Sequence, residues 1–174
     1  MKKLLSLVAT MLLSSVLMAG GNVPTKLSPV VDIPSKACKT DKVFIEEDAE
    51  LMWQDQLYTD AEDGASKRNQ SAGKAGVWRH AEGYCRTLDY LGFADWRLPT
   101  SDELQKVHRI RGQVFVYFRG TDFWTSTPGS KGRYYVVYPV DAYIYERKSS
   151  RTNYIRCVRC LEEGDTETGP ALVK

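Results

Sequence analysis

Asp95-Trp96-Arg97-Leu98-Pro99-Thr100-Ser101-Asp102-Glu103-Leu104 divides the chain into a helical half and a β half. Pro99 to Glu103 announce a helix: Thr100 is placed to cap the first free amides, and Glu103, three residues on, to reach back to the cap's own amide. Leu104 and Val107 supply its inner face. Asp102 and Glu103 sit at the positive end of the helix dipole and diverge by about 100° around it, so capping explains them better than acid–base chemistry.

Upstream, Trp78, Ala81, Cys85 and Leu88 recur at three- and four-residue spacing, flanked by Tyr84 and Leu91 and followed by Gly92, which predicts an amphipathic helix with a glycine stop. Thr59 to Gly76 is rich in Gly, Ala, Ser, Asp and Lys and reads as an irregular surface loop. Val43-Phe44-Ile45 and Leu51-Met52-Trp53, separated by the acidic Glu46 to Glu50, predict a hairpin. Downstream of Gly112 the pattern changes to period two with β-branched and aromatic residues. Strands are expected at Val114 to Phe118, Phe123 to Thr125, Tyr134 to Val140, Ala142 to Glu146 and Tyr154 to Cys160. A hairpin, two helices and then an antiparallel region make an α+β domain.

Cys38, Cys85, Cys157 and Cys160 allow three disulfide connectivities, and only the last two are spaced closely enough to suggest a metal pair. In an extended segment Cys157 and Cys160 face opposite sides, so two separate partners are expected: Cys85 with Cys157, and Cys38 with Cys160. Trp53, Trp78, Trp96 and Trp124 lie in apolar periodic stretches and are expected in the core; His80 and His108 are given surface or packing roles.

Leu51-Met52-Trp53-Gln54, Ala81-x-x-Tyr84-Cys85-x-x-Leu88, the run from Asp95 to Leu104, Phe123-Trp124-Thr125-Ser126 and Tyr154 to Arg159 occur in the order of a bacterial family. The chain resembles the Lcl-type C-terminal domain, named for a collagen-like adhesin, over nearly all of residues 43 to 160. That resemblance implies a C-type-lectin-like fold, two helices packed on short antiparallel sheets with two disulfides, one of them joining the first helix to the final strand. It also implies that the first and last strands lie together. The calcium motifs of the sugar-binding branch, Glu-Pro-Asn and Trp-Asn-Asp, do not occur. The related formylglycine-generating oxidases use reactive cysteines near the C-terminus, which gives Cys157 and Cys160 a second reading as a redox or copper-binding pair.

Met1-Lys2-Lys3, the apolar run Leu4 to Met18 and Ala19-Gly20-Gly21 read as a secretory signal peptide over residues 1–19, its apolar stretch being too short to span a bilayer. Residues 20–36 read as a proline-containing linker, 37–161 as the domain and 162–174 as an acidic, disordered tail. The net charge of +2 hides an asymmetry: Lys36 to Trp96 holds 8 basic and 12 acidic residues, whereas Arg97 to Cys160 holds 12 basic and 5 acidic. Arg133, Arg147, Lys148 and Arg151, with Tyr143 and Tyr145, are the candidate binding residues, since arginine and tyrosine together suit recognition surfaces.

The expected protein is an exported, non-enzymatic binding or adhesion module of the periplasm or cell surface. Its partner is an anionic polysaccharide or an envelope protein, not a nucleic acid. No cofactor, metal site, catalytic residue or membrane span after leader cleavage is expected. The alternative is a structural subunit of an envelope assembly, and a thiol redox or metal enzyme using Cys157 and Cys160 is a third reading. Asp60, Glu62 and Asp63 are the acids available for a structural calcium ion.

Overall fold

The computed structural model describes residues 41–162 and residue 165. The expected leader, the linker, Cys38 and most of the acidic tail lie outside the described residues. The elements run β1 (Asp41–Glu46), β2 (Leu51–Gln56), α1 (Asp60–Arg68), β3 (Ala75–Gly76), α2 (Trp78–Arg86), α3 (Ser101–Arg109), β4 (Phe123–Pro128), β5 (Arg133–Tyr138), β6 (Tyr143–Lys148), β7 (Asn153–Tyr154) and β8 (Val158–Cys160). They form two sheets, β1-β2-β8 and β3-β7-β4-β5-β6, so the domain is α+β.

The expected hairpin is present, with Phe44 opposite Trp53 and a turn of 3-10 helix at Glu47–Ala49 that closes on Glu50 in the left-handed region. α3 begins as the sequence predicts. Thr100 Oγ1 accepts from the Glu103 amide, Glu103 returns a carboxylate to the Thr100 amide at 2.8 Å, and Leu104 and Val107 are fully buried.

Among the described residues three α-helices are present, where two were expected. The segment expected to be an irregular loop contains α1, closed by a second capping box between Thr59 and Glu62. Glu62 is itself buried, and beyond its cap it accepts from the Lys74 amide at 2.6 Å and from Lys74 Nζ at 3.0 Å. The helix buries only Glu62 and Ala65, so its polar composition disguises it. α2 is shorter than the periodicity suggests: it ends at Arg86, and the chain turns back through Leu91 and Gly92, both with positive φ, while Leu88 and Leu91 still pack on the core.

Val114 to Phe118 is not a strand. Asp55, buried in β2, accepts from the amides of Val116 at 2.7 Å and Tyr117 at 3.0 Å, and these bonds hold the segment as an irregular loop. The expected final strand splits into β7 in one sheet and β8 in the other, because residues 155–157 cross between them. There the Ile155 amide donates to Lys74, and Cys157 accepts from the Gln54 amide. Arg156, enclosed in the crossing, donates to the carbonyls of Gln54 at 2.7 Å and Tyr117 at 2.6 Å and pairs with Asp55 at 3.2 Å.

Among the described residues one disulfide is present, where two were expected. Cys85 of α2 is bonded to Cys157 across 5.5 Å between Cα atoms, both residues fully buried. Cys160 is an exposed free thiol, and Cys38, its expected partner, lies outside the described residues. Cys157 and Cys160 do face apart, but the exposed thiol has no cysteine partner among the described residues. At the start of the tail, Asp165 is tied to Arg159 and accepts from the Glu162 amide at 2.7 Å.

Trp53, Trp96 and Trp124 are buried as expected, whereas Trp78 is only partly buried. His108 packs between Phe115 and Phe123. Burial, helped by the positive charge of Arg156, holds its imidazole down to about 3, so it is neutral in the folded protein at neutral pH.

Replacing Cys85 and Cys157 together by alanine frees a loop closed across 72 residues and is expected to lower stability by about 4 kcal/mol, read from urea unfolding. The unfolded chain protonates His108 near pH 6.5 and the folded one does not until about pH 3, so the unfolded state binds more protons between them. Stability therefore falls as pH drops from about 6.5 to 4.5, by up to about 1.4 kcal/mol per unit, and denaturant curves of His108→Phe over that window lose this part of the slope.

Candidate functional site

A groove of about 980 Å³ runs between the outer face of α2, the β4–β5 turn and the β6–β7 turn. Its formation follows from backbone pairing among these three pieces. The Trp78 amide donates to the Ser149 carbonyl at 3.0 Å, and the Ser149 amide to Gly132 at 2.9 Å. Gly132 has φ +73°, a conformation that glycine adopts without strain. Asn69, the left-handed C-cap of α1, fixes the β6–β7 turn from the other side, accepting from the Thr152 amide at 2.8 Å and donating to the Ser150 carbonyl at 3.3 Å.

Arg79 and Arg86 from α2, and Lys131 and Arg133 from the β4–β5 side, line this groove with one acid, Glu82. Its apolar wall is Trp78 stacked on Tyr134, with ring centroids 3.5 Å apart and planes within 10°. Trp78 is anchored by its indole N–H, which donates to the Thr125 carbonyl at 2.9 Å. Four cations around an aromatic wall can take a ligand that is anionic and offers a flat or ring-shaped face.

The β4–β5 turn is held by Glu146 of β6. Its carboxylate accepts from the Ser130 amide at 2.9 Å and hydroxyl at 2.6 Å, and a Cβ on Gly129 would stand 2.8 Å from it. These bonds, with Arg133 nearby, hold the carboxyl below its ordinary range.

The candidate residues read from the sequence separate. Arg133 lines the groove, and Lys148 stands directly opposite it in the β5–β6 ladder. Arg151 is exposed in the adjoining turn, its amide donating to the Lys148 carbonyl at 2.9 Å. Arg147 and Tyr145 are engaged elsewhere: both donate to the buried Asp122, Tyr145 at 2.5 Å, which secures β6 to the start of β4. Burial and this bond push the Tyr145 hydroxyl upward. Tyr143 is 62% exposed and stacks on Tyr145, but five ladder positions separate it from Lys148, about 16 Å.

Arg79, Arg86, Lys131 and Trp78 are the groove residues that sequence reasoning missed. The available signal was the outward face of α2, where Arg79, Glu82 and Arg86 follow one another at three- and four-residue spacing. Of the acids considered for calcium, Glu62 is paired with Lys74, and Asp63 with Arg119 at 2.9 Å and with Tyr154. Hydrogen bonding from Arg119 holds the Asp63 carboxyl below its ordinary range. No group of three His, Cys, Asp or Glu side chains among the described residues could hold a metal ion. Cys157, being bonded to Cys85, does not form a dithiol with Cys160. Among the described residues no helix is long and apolar enough to cross a membrane.

These features define a small, disulfide-tied α+β domain with a basic, aromatic-walled groove. The family model of the Lcl C-terminal domain matches residues 42–159, and the chain belongs to that family. No curated protein matches it.

Glu146→Ala removes the acceptor that holds the β4–β5 turn. Its expected effect is faster hydrogen exchange at the Ser130 amide with the core amides unchanged. The same protection in the wild type is present at neutral pH and is lost as pH falls through the lowered carboxyl range.

Proposed function

We propose that this protein is an exported, non-enzymatic binding module that recognises an anionic glycan through the groove between α2 and the β4–β5 turn. The observation that carries this reading is the convergence of Arg79, Arg86, Lys131 and Arg133, against the single acid Glu82, around the Trp78–Tyr134 stack. Guanidinium groups bind carboxylate and sulfate oxygens in paired hydrogen bonds, and a sugar ring lies flat on an aromatic face. Export is supported by the basic and apolar N-terminal sequence and by the buried Cys85–Cys157 bond, which needs an oxidising compartment such as the periplasm or cell surface.

A C-type-lectin-like fold is the finer structural reading. It is supported by the bond between α2 and the segment leading into β8, and by the pairing of the N-terminal hairpin with β8 in one sheet. A second functional reading, a subunit of an envelope assembly, is favoured by the exposed Tyr143 and Val140 around the β5–β6 turn, 62% and 60% accessible.

Heparin oligosaccharides serve as the anionic glycan probe and dextran as the neutral control, with binding measured by calorimetry from about 50 to 300 mM salt. Heparin binding that weakens steeply with salt and falls at least about tenfold in Arg79→Glu/Arg133→Glu, with dextran inert, is the expected result. Heparin binding unchanged by the double substitution, or none at low salt, removes the groove reading and gives the assembly role precedence.

A further inference from the structure

The basic groove continues past the C-terminus of α2. A second hollow, of about 440 Å³, adjoins it, and Glu82 and Arg86 line both. The opposite bank is shared as well: β4 contributes Pro128 to the groove and Ser126, two positions earlier, to the hollow. Two concavities with one helix and one strand as common walls form a single track. Its α2 wall alone, from Trp78 to Arg86, runs for about 12 Å at 1.5 Å per residue, longer than one sugar ring.

The two parts differ in charge. Arg79, Arg86, Lys131 and Arg133 of the groove form no ion pair among the described residues. Arg97, which the hollow adds, is already neutralised, because both of its terminal nitrogens donate to Glu103, at 2.8 and 2.6 Å. Glu103 takes two of its five N–H donors and the side chain is 40% exposed, so donors remain for a ligand. Thr100, exposed at the cap of α3, accepts from the Glu103 amide and keeps its own hydroxyl proton to donate. Ser126 donates to the Pro99 carbonyl at 3.2 Å and keeps lone pairs to accept. The floor, Trp96 and Leu98, is almost wholly covered, so this polar rim makes the contacts.

The hollow is also preformed. The Arg97 amide and carbonyl are both bonded to Val158, at 2.8 and 2.9 Å, and the Ser126 amide donates to the Pro99 carbonyl at 2.7 Å. Banks fixed in this way lose little freedom when a ligand settles between them.

We infer that groove and hollow are consecutive subsites for one linear polysaccharide: anionic sugar units lie in the groove, and a hydroxyl-rich, uncharged unit of the same chain lies in the hollow against Arg97, Thr100 and Ser126. This rests on the glycan reading of the groove and adds to it that the ligand is an extended chain in which charged and uncharged sugars alternate. Glu82 stands at the junction of the subsites and opposes a further negative charge there.

Hyaluronan oligosaccharides, in which a carboxylate-bearing sugar alternates with an uncharged one, are the probe. Titration of the full protein with lengths from disaccharide to octasaccharide, followed by NMR, is expected to show affinity rising at least about tenfold with length. The longer oligosaccharides, and not the disaccharide, shift the Arg97 and Ser126 amides. Arg97→Gln removes donors from the hollow and Ser126→Phe fills it; each brings the octasaccharide to within about threefold of the disaccharide and leaves the disaccharide unchanged. Variants that weaken every length equally, or none, overturn the second subsite. So does an absence of hyaluronan binding while heparin still binds through Arg79 and Arg133, an outcome that leaves the groove reading standing. Failure of both glycans to bind removes the two readings together.

Discussion

The ion pair between Arg156 and Asp55 is the interaction on which the remaining architecture hangs. Both side chains are almost completely enclosed, 1% and 2% exposed, and each is bonded beyond the pair. Arg156 reaches two carbonyls, one in β2 and one in the 112–118 loop, while Asp55 collects two amides of that same loop. A buried pair gains little net stability over apolar packing, but removing one partner leaves a charge stranded in the interior. Its contribution is therefore to dictate an arrangement: it fixes where the last segment crosses between sheets and where the loop lies. Burial, with the positive charge of Arg156 added to it, keeps the nearby His108 imidazole neutral.

The charge asymmetry along the chain acquires a different meaning in three dimensions. Arg119, Arg156 and Arg159, all from the basic half, pair with Asp63, Asp55 and Asp95 from the acidic half. Much of the imbalance is thus two halves neutralising one another, and it contributes to holding them together. The cations of the groove come from both halves: Arg79 and Arg86 belong to the stretch with an acidic excess. Local convergence, governed by the face a helix turns outward, decides the groove's potential, and a tally of charges along the chain does not report it.

What could be read from the sequence depended on whether the signal was local and apolar. The Thr100–Glu103 cap, the first hairpin, strands β4 to β6 and the Cys85–Cys157 bond were legible because periodicity or a short motif specifies each. α1 carries the same Thr-x-x-Glu cap, yet its inner face consists of an ion-paired glutamate and an alanine, so hydrophobic periodicity is silent about it. The final strand shows alternation throughout, but it is enclosed from Asn153 to Arg159, and period two cannot distinguish one sheet from a handover between two. The groove was least legible of all. Arg133 was in the candidate set, whereas Trp78 looked like core and became a wall because only part of it is covered by the fold.

The crossing of residues 155–157 also bears on when the domain can close. β7 sits between β3 and β4, and β8 completes the sheet begun by the first hairpin, so one short stretch finishes both sheets. Arg156 bonds to a carbonyl 102 positions earlier, and Cys157 must reach Cys85. A ribosome delivers this stretch after every other strand of the two sheets. Until it emerges, neither sheet has its full complement and the Cys85–Cys157 bond cannot form. Closure of both sheets therefore rests on pairings between residues far apart in sequence, the kind of contact that forms slowly.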